Sequence, residues 1–306
     1  MDNYEGHPNR ARSMHGERDR LEEGIRLERS GQLARALEVY DNVAATTKTP
    51  AIAAESMRRK SDVYRQQCDW DAALKAARES AQTALRAGLP ELFAEALNAE
   101  AAVYLSRGDF VAARPLLEQI LVIVTDDRIL GIARQNLGNI AAQDRKLDVA
   151  REHFRRSREH FARAGYKRGE AIALINQAAI ANLSNDYEGA LEAAEEATEQ
   201  ARELGDFELI ALAAINQAET LAGLDRLTEA ESLASQALGF FGIEGNRYRQ
   251  VGCLRVLGDI CRKQKRYANA VRCYERALKM AEGIDAHIER VMLEDRLADL
   301  EGLAYT

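Results

Sequence analysis

The stretch Gly108-Asp109-Phe110-Val111-Ala112-Ala113 decides how the chain is read, because its pattern occurs seven times. A turn-like pair or triplet is followed by a large apolar residue and, three residues later, by alanine. Before it, Gly31-Gln32-Leu33 leads to Ala36 and Cys68-Asp69-Trp70 to Ala73. After it come Arg145-Lys146-Leu147 with Ala150, Asn185-Asp186-Tyr187 with Ala190, Asp225-Arg226-Leu227 with Ala230, and Lys265-Arg266-Tyr267 with Ala270. Successive alanines stand 37, 40, 37, 40, 40 and 40 residues apart. Self-similarity at such a period signals stacked repeats, which outranks the two-domain expectation for 306 residues.

A second marker lies twelve residues before each alanine, where Gly24, Ser61, Ala101, Gly138, Ala178, Ala218 and Gly258 are all small. Two antiparallel helices joined by a short turn approach closely only where the crossing is lined by small side chains. The large residue after each turn then plugs the end of the pair. Alanine, leucine, glutamate and arginine dominate the chain, and aromatic residues make up only 6% of it, so helices are favoured over strands.

Small residue, turn, large apolar residue and alanine in a helix-turn-helix unit resemble the tetratricopeptide repeat (TPR), most clearly in Asn136-Leu137-Gly138-Asn139 and in Gly108-Asp109-Phe110 with Ala113. The resemblance implies an all-α fold, a right-handed α-solenoid of seven TPR-like repeats over residues 17–283, with approximate starts at 17, 54, 94, 131, 171, 211 and 251, plus a C-terminal capping helix. The period exceeds the standard 34 residues, so each unit has longer helices or a longer inter-repeat loop. Such long repeats are similar to those of Pins-type adaptors, kinesin light chains, bacterial peptide-pheromone receptors and sensor domains of large bacterial regulators, which bind protein or peptide.

Punctuation fits this layout. Pro50 and Pro90 fall between units, and Gly165, Gly205 and Gly245 recur where second helices should stop. Pro115 lies inside the second helix of the third unit and is expected to bend or shorten its first turns. Residues 1–16 lack apolar periodicity and read as a disordered tail. Within residues 284–306, Ile288, Val291, Met292, Leu297 and Leu300 define an amphipathic helix, the cap that a solenoid end needs.

In TPR arrays the first helix of each unit lines the concave side. Two residues before the small landmark stand Glu22, Arg59, Ala99, Asn136, Asn176, Asn216 and Val256, so three consecutive units place asparagine at 40-residue spacing. Asn139 and Asn182 add amides nearby. An amide row can bond the main chain of an extended peptide whatever its side chains, and the resemblance to TPR proteins that hold extended segments puts that role on Asn136, Asn176 and Asn216. The same asparagines could instead bridge neighbouring first helices or face solvent. Gln135, Ile175, Ile215 and Leu212 are adjacent candidates for selecting side chains, with the core as the competing assignment. Toward the ends the wall turns charged, with Arg58 and Arg59 in unit two and Arg255, Asp259, Arg262 and Lys263 in unit seven; arginines there either pair with partner carboxylates or neutralise their own neighbours. A chaperone-type carboxylate clamp is disfavoured, since Gln135, Leu212 and Asn216 occupy its basic positions.

A net charge of -7 argues against nucleic acid as partner. No apolar run approaches the roughly 20 residues of a membrane helix, and the first 20 residues hold no signal-peptide core, so a cytoplasmic chain with no membrane partner is expected. Four cysteines are too few for a disulfide scaffold, and Cys253, Cys261 and Cys273 match no common zinc spacing. They read as small core residues. His153 and His160 lie seven apart, too far for a helical metal pair. No phosphate loop, zinc-helix motif or nucleophile elbow occurs, so no catalytic, cofactor or metal site is expected. The sequence thus points to a non-enzymatic adaptor that binds a peptide or flexible protein segment in its groove. Alternatives are an assembly scaffold, possibly homo-oligomeric, using solenoid ends or the convex face, and a regulatory subunit of a bacterial signalling or effector system.

Overall fold

The computed structural model describes the backbone of residues 8–283 and 287–303, and side chains over residues 16–283 and 289–300. Among these residues the regular structure is α-helical throughout, in fifteen helices. First and second helices of the seven repeats alternate: α1 (Pro8–Arg29) and α2 (Leu33–Thr46), α3 (Pro50–Gln66) and α4 (Trp70–Arg86), α5 (Pro90–Ser106) and α6 (Phe110–Ile123), α7 (Asp127–Gln143) and α8 (Leu147–Arg163). They continue as α9 (Lys167–Leu183) and α10 (Tyr187–Leu204), α11 (Phe207–Gly223) and α12 (Leu227–Ile243), α13 (Arg247–Lys263) and α14 (Tyr267–Glu282), followed by α15 (His287–Leu303). No helix among the described residues is long and apolar enough to cross a membrane.

From the second repeat onward, each first helix starts one turn before the start read from the sequence. Pro50 and Pro90 occupy the first helical position, where a missing N–H is harmless. Asp126, Asp206 and Asn246 cap α7, α11 and α13 by accepting from the backbone amide three residues on, at 2.8, 3.1 and 3.1 Å. Helix α1 already covers residues 8–16 of the stretch expected to be a tail; residues 1–7 lie outside the described residues.

The turn motif has one geometry in all seven copies. Gly31, Cys68, Gly108, Arg145, Asn185, Asp225 and Lys265 adopt φ between 58° and 74°, the left-handed region that ends a helix. The next amide then donates to the carbonyl five residues back, as Asp109 does to Tyr104 and Arg266 to Cys261, both at 2.9 Å. Gly88, Gly165, Gly205 and Gly245 repeat this geometry between repeats. The two 37-residue periods have a local cause. Helices α2 and α6 have 14 residues where α4, α8 and α12 have 17, and they end in the extended residues Thr47 and Val124. Helix α6 keeps its start at Phe110 with Pro115 inside it, so the lost turn is at its far end.

The chain divides into two compact units, residues 1–140 and 141–306, with α7 crossing the division. In the first unit, Leu21, Ile25, Tyr40 and Val63 build one core cluster and Leu97, Leu117, Ile120 and Ile140 another. In the second, Leu174 and Leu209 lie in one cluster, Val256 and Ile260 in a second, and Leu254 and Tyr274 in a third. The small landmark is matched to the second-helix residue sixteen positions later. A Cβ on Gly24 would stand 2.5 Å from the Tyr40 ring, and one on Gly258 would stand 2.3 Å from the Tyr274 ring. Where the landmark is alanine, its counterpart is smaller: Ala101 shares a cluster with Leu117, and Ala218 with Ala234. Tyr187 reaches beyond its own repeat, since a Cβ on Gly223 would meet its ring at 2.2 Å.

Helix α15 closes the last cluster, but through a different stripe from the one read in the sequence. Leu293 and Leu300 are buried against it and Leu297 is half-buried, whereas Val291 and Met292 are exposed. The i, i+4, i+7 spacing of 293, 297 and 300 keeps one face in register with the groove it fills. The side chain of Ile288 lies outside the described residues.

Candidate functional site

Within each unit the first helices pack on one another, α1 on α3 and α3 on α5 in the first, α9 on α11 and α11 on α13 in the second. Successive second helices make no comparable contact among the described residues. A stack that closes on one side and opens on the other is curved, so the first helices form an inner wall in each unit.

In the first unit this wall is a lattice of ion pairs between adjacent helices. Arg18 Nη1 lies 2.7 Å from Glu55, Arg58 Nε 3.2 Å from Glu95, and Arg59 Nη1 3.9 Å from Glu28. Glu28 also accepts from the Tyr40 hydroxyl at 2.6 Å, so burial and this carboxylate push the Tyr40 pKa upward. Asn136 donates its Nδ2 to Oδ1 of Asn98 at 3.0 Å, joining α7 to α5. Gln135 is half-buried and Asn139 exposed, on the same helix.

In the second unit amides share the lateral joining with ion pairs, Arg168 lying 2.8 Å from Asp206 and 3.0 Å from Glu208 where α9 and α11 begin. Asn216 is only 8% exposed, and its Nδ2 donates to the carbonyl of Ile175 at 3.0 Å. Asn182 donates to the carbonyl of Asn216 at 3.1 Å, and the Thr220 hydroxyl donates to Oδ1 of Asn182 at 2.8 Å. These bonds stitch α9 to α11. Asn176 is half-buried, with its amide in no hydrogen bond within the described residues. Ile175 is 7% exposed in a core cluster, and Leu212 and Ile215 pack half-buried against core clusters, so all three aliphatics support the wall from behind.

A cavity of about 440 Å³ opens at the last turns of α9, α11 and α13, with Asn182, Glu219, Asp259, Arg262, Lys263 and Arg296 on its lining. Arg255 bridges Glu219 and Asp259, the latter at 3.2 Å. Asp259 is further held by Arg296 Nε at 2.8 Å and by the Tyr274 hydroxyl at 2.7 Å. Burial disfavours the Arg255 charge, but the two carboxylates outweigh it and hold its pKa above the usual guanidinium value. Burial and the adjacent Asp259 raise that of Tyr274. Lys263 donates its ammonium to the carbonyl of Ala222, and Arg262 is exposed with no ion pair or hydrogen bond from its side chain among the described residues.

The sequence had singled out neither Asn98, Thr220 nor Arg296. Asn98 is the lone amide of α5, a signal that could have been read. Arg296 reaches the wall only because α15 folds back onto α14, which no local pattern encodes. Cys253 and Cys261 are buried in core clusters, and burial pushes the Cys253 thiol up to about 12. His160 lies against Arg163 at 2.7 Å and is half-buried.

Several solved structures share this architecture. Aspartyl phosphate phosphatase F from Bacillus subtilis superposes with a TM-score of 0.72 at 12% identity, over 89% of this chain and 72% of that one. The apo form of RapI gives 0.71 at 14% identity, over 89% of this chain and 99% of the other. A Rap protein complexed with competence and sporulation factor gives 0.68 at 15% identity, over 91% and 80%. At such identities the likeness is one of fold. No curated protein matches the chain by sequence. Models of the tetratricopeptide repeat match residues 21–81, 128–203 and 209–283, more than half of the chain. Repeats of this kind are typically non-catalytic, and they support a role in protein–protein interaction. With seven copies of the helix pair in the fold and the repeat models matching along most of its length, the chain belongs to the tetratricopeptide repeat family.

Proposed function

We propose that this chain is a non-enzymatic adaptor that holds an extended segment of another protein on the inner wall of its second unit. The observation that carries the reading is the division of labour among the wall amides. Asn216 and Asn182 are taken up in joining α9 to α11, while Asn176 keeps both donor and acceptor available beside them. A free amide on an otherwise stitched wall suits main-chain hydrogen bonding to an extended segment. The Rap protein among the structural neighbours is complexed with competence and sporulation factor, which fits a bound partner here. In the first unit, Asn139 and Gln135 are the corresponding available amides, with Arg58 and Arg59 beside carboxylates of this chain.

Panning a phage library of random 12-residue peptides on the full chain tests this. Enriched peptides should bind with affinity that Asn176→Ala lowers about tenfold at an unchanged unfolding midpoint. No enrichment, or full affinity in the variant, would overturn the reading. A second reading, assembly through the repeat edge, draws on Phe207 and Ile243, which are 68% and 88% exposed beside the turns that follow second helices. Light scattering across a concentration series separates the two, since a monomer at all concentrations counts against self-assembly.

A further inference from the structure

We infer that the cavity at the last turns of α9, α11 and α13 is an anion subsite that receives an acidic side chain of the bound segment. The inference rests on the proposed inner-wall binding and adds a sequence requirement to it. Two negative charges in the cavity, Glu219 and Asp259, are answered by Arg255 and Arg296. Lys263 donates only to a neutral carbonyl, and Arg262 makes no ion pair or side-chain hydrogen bond among the described residues. The site therefore carries a local surplus of positive charge on a chain whose net charge is -7. A guanidinium without an ion-pair partner on the lining of a partly enclosed cavity suits a carboxylate, which it can grip through two parallel hydrogen bonds. A phosphoryl group would bring a second negative charge beside Glu219 and Asp259, so the single charge of Asp or Glu fits better.

Position favours a side chain over a chain end. Asn176 precedes Asn182 on α9 by six residues, a rise of about 9 Å. A segment crossing α9, α11 and α13 at the level of Asn176 thus passes to one side of the cavity and reaches it by a side chain.

The test uses the peptides enriched by panning, resynthesised with acetylated and amidated ends so that side chains are their only carboxylates. They should share an Asp or Glu whose replacement by the amide weakens binding about tenfold or more. Arg262→Glu, an exposed change, should weaken the parent peptide similarly, and a Glu→Lys peptide should recover affinity for that variant. Peptides that depend on Asn176 but lack a common acidic residue, or are indifferent to Arg262→Glu, overturn the subsite and leave the groove standing. Binding that requires a free C-terminal carboxylate, or that is tighter for a phosphoserine peptide than for its Glu counterpart, overturns the assignment to an acidic side chain. Absence of any enriched peptide overturns the groove and the subsite together.

Discussion

The inner walls of the two units occupy the same position in the repeat and are held together by different chemistry. In the first, Arg18, Arg58 and Arg59 reach across to carboxylates on the adjacent first helix, and the charges cancel in place. In the second, Asn216, Asn182 and Thr220 join α9 to α11 through buried and half-buried hydrogen bonds, and ion pairs of Arg168 with Asp206 and Glu208 and of Arg255 with Glu219 add to them. Exposed ion pairs such as that of Arg18 contribute little to stability and fade in salt, whereas a buried amide hydrogen bond is shielded from both water and salt. The repeat therefore sets where the wall is, and the residues two to six positions from the landmark set how firmly it is joined and what surface it leaves over.

The comparison has a control in the glycine–tyrosine pairs that both units share. Gly24→Ala and Gly258→Ala each force a methyl against a buried tyrosine ring, at 2.5 and 2.3 Å. Each should destabilise its unit by about 3 kcal/mol, read as a lowered urea midpoint by circular dichroism. Unequal losses would show that the two units differ in their cores as well as their walls. Next in size, Asn216→Ala should cost about 1 kcal/mol by removing the buried bond to the Ile175 carbonyl, which keeps its helical partner. Asn176→Ala, which breaks no bond among the described residues, should leave the midpoint unchanged. If both variants unfold alike, the amide cross-links are not what joins this wall.

The first wall should respond more weakly. Arg18→Ala removes a half-exposed pair with Glu55 and should cost about 0.5 kcal/mol or less. That loss should disappear in 0.5 M salt, while the loss from Asn216→Ala should persist. A salt-insensitive loss at Arg18 would place both walls in one class. The smallest effect has the opposite sign. Lys265 sits at φ 59° in the turn of the seventh repeat, so Lys265→Gly should stabilise the chain by about 0.5 kcal/mol as relief of left-handed strain exceeds the added chain entropy. The same change at Gly31 or Gly108 of the first unit is already present in the natural chain.

The repeat was legible in the sequence because its markers are local. A left-handed turn residue, a cap and a small residue at a crossing each act within a few residues of themselves, and their recurrence reports the architecture. The two short periods were visible as numbers, but only the helix ends show that α2 and α6 each lost a turn. The face of α15 was misread at Val291 and Met292 because apolar residues occur on several sides of that helix, and only the cluster around Tyr274 selects Leu293, Leu297 and Leu300.

The candidate site divides along the same line. Which residues stand on the first helices, and that Asn136, Asn176 and Asn216 recur at one position, followed from period and landmark alone. Which of those amides are available did not, because that depends on acceptors that a neighbouring helix brings up: Asn98 Oδ1 for Asn136, the carbonyl of Ile175 for Asn216, and none among the described residues for Asn176. Hydrogen bonds and ion pairs between residues some 40 positions apart are decided by how helices pack, and chain order is silent about that. Repetition wrote the scaffold into the sequence, and the stacking of its helices decided which side chains were left over to meet a partner.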